Sequence, residues 1–145
     1  MSPRVPRIDA VILDLDGVVT DTAAVHERAW KATFDPLLEA RGQRPFTHDD
    51  YLAEVDGRPR LEGVRRFLAS RHVELPEGRP DDPAGLETVH AVARCKNERF
   101  LEVLDEQGVE VFDDAVRALD RWRRDGLRTA LVSSSRNADR VLRAA

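Results

Sequence analysis

Residues 8–17 read IDAVILDLDG, a nearly continuous apolar run that stops at Asp14, Asp16 and Gly17. Such a run suits a strand buried on both faces, and the Asp-Gly ending suits a sharp turn at its carboxyl end. A parallel α/β architecture follows as the expectation. A second strand is predicted over residues 127–132, after Gly126 and a helix that Asp113 or Asp114 would cap, with Val116 and Leu119 on one face. It ends in the polar turn Ser133-Ser134-Ser135, ahead of a short terminal helix.

The two strand ends, at Asp16 and Ser133, lie 117 positions apart, whereas a strand-helix-strand unit needs only about 30 residues. The chain between them is predicted to be mostly helical. Trp30, Phe34, Leu37 and Leu38 share one face, as do Leu61, Val64 and Leu68, and then Val89, Ala93, Phe100 and Leu104. Pro36 is expected to break the first of these helices or to start a new one. Residues 74–85, with Pro76, Pro80 and Pro83, read as loop. The expected organisation is a sheet core over residues 1–22, a helical cap over 23–108, and a return to the core over 109–145. Only two core strands are predicted, where sheets usually have about 4–6.

The 145-residue length is about one domain. With 23 Lys+Arg against 27 Asp+Glu, the net charge of −4 gives no broad basic footprint, so a nucleic-acid partner is not expected. The single cysteine, Cys95, excludes a disulfide within the chain and a multi-cysteine zinc site. Residues 1–8 lack the apolar core of a signal peptide, and no apolar run approaches the roughly 20 residues of a membrane span. A soluble, cytoplasmic protein is the expectation.

The chemistry concentrates at Asp14 and Asp16. Side chains two apart on a strand point the same way, and α/β sheets put ligands beyond the carboxyl ends of their strands. Two carboxylates held this close repel each other unless a cation or a shared proton intervenes. Mg²⁺, which takes oxygen ligands and works beside substrate phosphates, is the natural candidate. An aspartate can also be a nucleophile, forming an aspartyl-phosphate while its neighbour acts as acid and base. A calcium-binding EF-hand loop fits poorly, because its glycine belongs at position 6 and Gly17 falls at position 4.

The run DLDGVVTDT (residues 14–22), followed by His26 and Trp30, resembles the first motif of haloacid dehalogenase-like phosphotransferases, in the β-phosphoglucomutase-like branch whose core carries an inserted helical cap. The resemblance continues through VDGRPRLEGV (55–64), Lys96-Asn97 and VSSSRN (132–137), and so covers nearly the whole chain in order. It implies a Rossmann-type parallel sheet and chemistry on a sugar phosphate. Asp14 matches the nucleophile and Asp16 the acid/base; Asp14 and the Asp16 backbone carbonyl would hold Mg²⁺. Ser133 matches the residue that binds the transferring phosphate, helped by backbone N–H groups at the helix start. Ser135, Arg136 and Asn137 match positions that hold the distal phosphate, Arg136 standing where lysine is common. In the cap, Arg60 matches an arginine that grips the distal phosphate, and Lys96 a lysine facing the reacting sugar. Thr22 and His26 match a pair near the hinge that couples closure to acid/base chemistry.

Taken singly, these residues have plainer readings. His26, one turn before Trp30, would be a packed histidine; Lys96, sharing a face with Ala93 and Phe100, would snorkel. Arg60, among Arg58, Arg65 and Arg66, would belong to a solvated charge cluster. Ser133–Ser135 would cap the terminal helix, and Trp30 is read as core. The activity implied by the resemblance is interconversion of β-glucose 1-phosphate and glucose 6-phosphate. The alternatives are a sugar-phosphate phosphatase of the same fold, or an inactive fragment. The family's later lysine and its later acidic metal-binding pair have no assignable counterpart here. The expectation is therefore an amino-terminal portion, whose partner would be a carboxyl-terminal half or a fused enzyme domain.

Overall fold

The computed structural model of the chain describes residues 8–145. Residues 1–7, and with them most of the stretch read above for a signal peptide, lie outside the described residues. The chain divides into two compact units, one formed by the residues up to Thr22 together with Gly108–Ala145, the other by Ala23–Gln107.

In the first unit, strand β1 (Ala10–Asp14) pairs in parallel with β2 (Arg128–Val132), in a register that sets Ala10 against Arg128 and Asp14 against Val132. Two strands so far apart in sequence can pair in parallel only through a long crossover, which the intervening chain supplies. Helix α5 (Asp113–Arg124) packs on β2, with Leu119 buried. Its first turn carries Asp113 and Asp114 and its last turn Arg121, Arg123 and Arg124, an arrangement that complements the helix dipole. Neither aspartate is the cap, because the helix starts one residue earlier than expected and Phe112, with no capping side chain, precedes it. Val116 faces outward at 41% exposure. A short helix, α6 (Ala138–Ala144), follows the second strand.

The expectation of a strand buried on both faces is corrected by the exposure of Ile12, at 67%. The reason is local: β1 has a partner on one edge, and the side of the sheet bearing Ile12 is uncovered. Beyond β1 and β2, the segments leaving and re-entering this unit are tied together. Thr20 and Val111 form an antiparallel bridge, Asp21 N–H donates to the Glu110 carbonyl at 2.8 Å, and Phe112 N–H donates to the Val19 carbonyl at 2.9 Å.

The second unit contains most of α1 (Thr22–Glu39), then α2 (His48–Asp50) running into one π-helical turn (Tyr51–Val55), α3 (Arg60–Ser70) and α4 (Val89–Gln107). The apolar stripes read from the sequence meet in one core of Trp30, Phe34, Leu37, Leu38, Val64, Phe67 and their neighbours. Phe34 and Phe67 approach to 4.0 Å between ring centroids, and Trp30 stacks on Phe34 at 5.2 Å. Gly63 of α3 permits this closeness, since a Cβ there would stand 3.3 Å from Trp30 Cζ2.

Pro36 does not break α1. It lies on the exposed side, where its ring and the carbonyl left without a donor face water, while Phe34, Leu37 and Leu38 hold the helix to the core at 1% exposure or less. At the start of α2, Thr47 and Asp50 form a reciprocal capping box. The Asp50 carboxylate also takes Arg44 bidentately and Arg71 at 2.7 Å. Burial alone would push Asp50 up, but these donors hold it at about 2. Among the described residues, no helix is long and apolar enough to cross a membrane.

Candidate active site

The sheet unit brings its candidate residues together through the turn after β1. Leu15 N–H donates to the Val132 carbonyl at 2.9 Å, extending the parallel pairing one residue past Asp14. The chain then turns at Gly17, whose φ of +78° suits glycine alone, and Gly17 N–H closes the turn on the Thr20 carbonyl at 2.8 Å. Buried Thr20 donates its hydroxyl to the Leu15 carbonyl at 3.2 Å. Asp16 therefore stands in a turn rather than in the strand, and alternation along β1 does not position it. The turn does so.

Across from it, Ser133 donates its hydroxyl to Asp16 Oδ2 at 2.6 Å. Asp16 Oδ1 is buried and has no hydrogen-bond partner. Ser135 N–H donates to Ser133 Oγ at 3.0 Å, and Asn137 N–H to Ser135 Oγ at 3.1 Å, so the two hydroxyls brace successive steps of one turn. That replaces the plain reading of these serines as caps of α6, whose cap is Asn137 without a side-chain bond. Asp14, exposed at the end of β1, is the register partner of Val132 and so opens on the same edge of the sheet as Ser133. Arg136 is exposed on that turn.

In the helical unit, Lys96 and His26 meet. Lys96 is only 3% exposed, and its Nζ lies 2.6 Å from His26 Nδ1. Burial, then the Lys96 and Arg60 charges, hold His26 down at about 3. The imidazole is thus neutral, Lys96 donates to Nδ1, and the ring proton sits on Nε2. Lys96 itself is lowered to about 7, by burial first and Arg60 second. The lysine does not snorkel; it is enclosed. Its ammonium lies 5.0 Å from the ring centroids of both Trp30 and Phe100, and His26 stacks on Phe100 at 4.4 Å.

Arg60, the half-buried first residue of α3, stands apart from the charge cluster in which it was read. Arg58, Arg65 and Arg66 pair at the surface with Glu62, Glu77 and Glu54, whereas Arg60 acts on His26 and Lys96. Thr22, 2% exposed, opens α1 one turn before His26. Among the described residues no three His, Cys, Asp or Glu side chains cluster as a metal cage.

The family described as haloacid dehalogenase-like hydrolase matches residues 8–145. The chain belongs to this family. Among curated relatives, a beta-phosphoglucomutase of Mycobacterium bovis is 45% identical over 94% of this chain and 55% of its own length. An uncharacterized glycosyl hydrolase of Mycobacterium tuberculosis is 37% identical over 92% of this chain but only 10% of its own length. Among solved structures, an archaeal beta-phosphoglucomutase from Pyrococcus sp. strain ST 04 superposes with a TM-score of 0.65 at 30% identity, covering 91% of this chain and 55% of that one. This haloacid dehalogenase-like chain thus spans about half the length of the beta-phosphoglucomutases it matches, with the two-stranded parallel sheet as a partial core of the family fold.

At the buried lysine of this haloacid dehalogenase-like chain, Trp30, which follows the first motif but is read as core, and Phe100, which lies outside the motifs, take a second part. Trp30 and Phe100 look like core, and they are buried, but both also face Lys96. The signal is in the spacing: His26 and Trp30 are four apart on one helix, Lys96 and Phe100 four apart on another, so each polar residue carries an aromatic one turn away.

Proposed function

We propose that this chain carries the reacting residues of a sugar-phosphate phosphotransferase that interconverts β-glucose 1-phosphate and glucose 6-phosphate through an aspartyl-phosphate. With Asp14 carrying a phosphoryl group as the aspartyl-phosphate, Asp16 takes the proton of the sugar phosphate's free hydroxyl, whose oxygen attacks that phosphorus and frees the Asp14 carboxylate, giving a sugar bisphosphate. In the return step the bisphosphate is held the other way round, an Asp14 oxygen attacks the other phosphorus, the bond to the sugar oxygen breaks, and Asp16 protonates that oxygen. Ser133 binds the transferring phosphoryl oxygens. Ser135, Arg136 and Asn137 hold the distal phosphate, joined by Arg60 from the helical unit, and Lys96 meets the reacting sugar. Thr22 and His26 couple closure of the helical cap to the acid/base step, and closure excludes water that would compete as acceptor.

The observation that carries this reading is the hydrogen bond between Ser133 and Asp16 at the strand ends, beside Asp14. The beta-phosphoglucomutases among the relatives support it.

The donor set suits Mg²⁺ better than a caged metal. Asp14 is exposed at the end of β1, ahead of the turn that carries Asp16, and a hard cation that keeps waters and phosphate oxygens needs only one or two carboxylates. Asp14 and the Asp16 carbonyl would hold it. When bound, it neutralises charge on the phosphoryl oxygens.

The glycosyl hydrolase relative favours a second reading, in which the same module is one segment of a longer sugar-processing chain and passes the phosphoryl group to water. Labelled β-glucose 1-phosphate, added with Mg²⁺, tests both. Transfer of label to the chain, its loss in Asp14→Asn, and appearance of glucose 6-phosphate support the first; label released only as inorganic phosphate supports the second. Labelling retained in Asp14→Asn would defeat both.

A further inference from the structure

Lys96 poses a physical problem. It is 3% exposed, and among the described residues no carboxylate pairs with it. A bare ammonium in such a place loses its proton unless something replaces water around it. Of the charged and titratable groups that act on it, Arg60 at the start of α3 repels it, and His26 on α1 offers one neutral acceptor at 2.6 Å. What remains are two aromatic faces, Trp30 from α1 and Phe100 from α4, each 5.0 Å from Nζ. A cation over an aromatic face gains most when desolvated.

We infer that Trp30, together with Phe100, is a positioning residue for Lys96: the two rings keep the buried ammonium charged and oriented for an anionic sugar phosphate. The role rests on the phosphotransferase reading above. Trp30 is itself fixed, nearly parallel to Phe34 at an interplanar angle of 7°, and admitted against α3 by Gly63. Phe100 does double duty, since it also stacks on His26 and so orients the acceptor. The core therefore passes its rigidity to this buried amine through rings rather than through a carboxylate. A carboxylate would neutralise the charge that a phosphate needs to find, whereas a ring supports it without neutralising it.

Only two lysines, Lys31 and Lys96, are present, so lysine labelled with ¹³C at Cε gives two assignable signals in the full chain. In the wild type, ring currents should move the Lys96 ε-protons upfield of those of Lys31. In Trp30→Leu the upfield shift should shrink and the titration midpoint of Lys96 should fall by about one unit, with Trp30→Phe restoring most of it. Wild-type ε-protons at the Lys31 position, or an unchanged midpoint in folded Trp30→Leu, overturn the inference. If Trp30→Leu does not fold, the wild-type shifts and the midpoint in Phe100→Leu decide in the same way. Glucose 6-phosphate separates this role from the wider reading. A raised Lys96 midpoint in the wild type that is lost in Trp30→Leu supports both. No response in the wild type with ring shifts intact counts against the sugar-phosphate site, and an equal response in both proteins overturns the positioning role alone.

Discussion

Lys96 and His26 bind fewer protons in the folded chain than in the unfolded one, and linkage converts that into a pH dependence of stability. Lys96 titrates at about 7 when folded against an ordinary 10.5, so between those values the unfolded chain holds more protons and stability rises with pH. His26, at about 3 against 6.5, gives a rise of the same sign over its own lower window. Lys96→Met should therefore be more stable than the wild type at pH 7 and lose part of the gain in stability that the wild type shows on going to pH 9. Urea denaturation at the two pH values measures this. A wild type whose stability falls over that range more steeply than the variant's would reverse the sign. The family resemblance marks Lys96 and His26 each as a candidate, Lys96 facing the sugar and His26 paired with Thr22, but not as partners of one another. Their burial is not legible there: a lysine beside Ala93 and Phe100 reads as a snorkelling residue until α1 closes over it. Trp30 is hidden for the converse reason, since an aromatic on an apolar stripe is accounted for by packing before any second task is considered.

Among the elements, α1 and the turn into α2 carry the clearest stakes. Pro36 withholds a backbone donor within α1, yet the helix continues because its neighbours bury the opposite face. Pro36→Ala should return that hydrogen bond and stabilise the chain by about 2 kcal/mol, the helix-interior penalty of proline less its benefit in the unfolded chain. Thermal unfolding of the two proteins checks it. Asp50 caps α2 and neutralises Arg71, whose side chain is 8% exposed. Asp50→Ala should cost about 3 kcal/mol, since it strands a buried guanidinium as well as removing a cap. A loss below about 1 kcal/mol in denaturant would mean the cap alone mattered. Helix faces such as Trp30-Phe34-Leu37-Leu38 are readable from periodicity, because burial repeats with the turn of the helix. The continuation through Pro36 is not, because it depends on which side of α1 the other helices leave open.

For the molecule as a whole, the two units differ in how well their apolar surface is covered. The helical unit encloses an aromatic core, while the sheet unit leaves Ile8 at 66%, Ile12 at 67% and Val132 at 52% exposure. Exposed strands with apolar faces invite association between copies. Ile12→Lys should lower light scattering at high protein concentration without shifting the near-ultraviolet signal of the helical unit; equal scattering would remove the sheet as the cause. The apolar run and its Asp-Gly ending announce a parallel strand, but how much of its surface is covered is a property of neighbours, and no single stretch of sequence contains it. The antiparallel tie between residues 19–21 and 110–112 reaches further still. It fastens the point of departure to the point of return, so the host closes its own loop whatever hangs between them, and a longer or shorter guest costs little extra closure entropy.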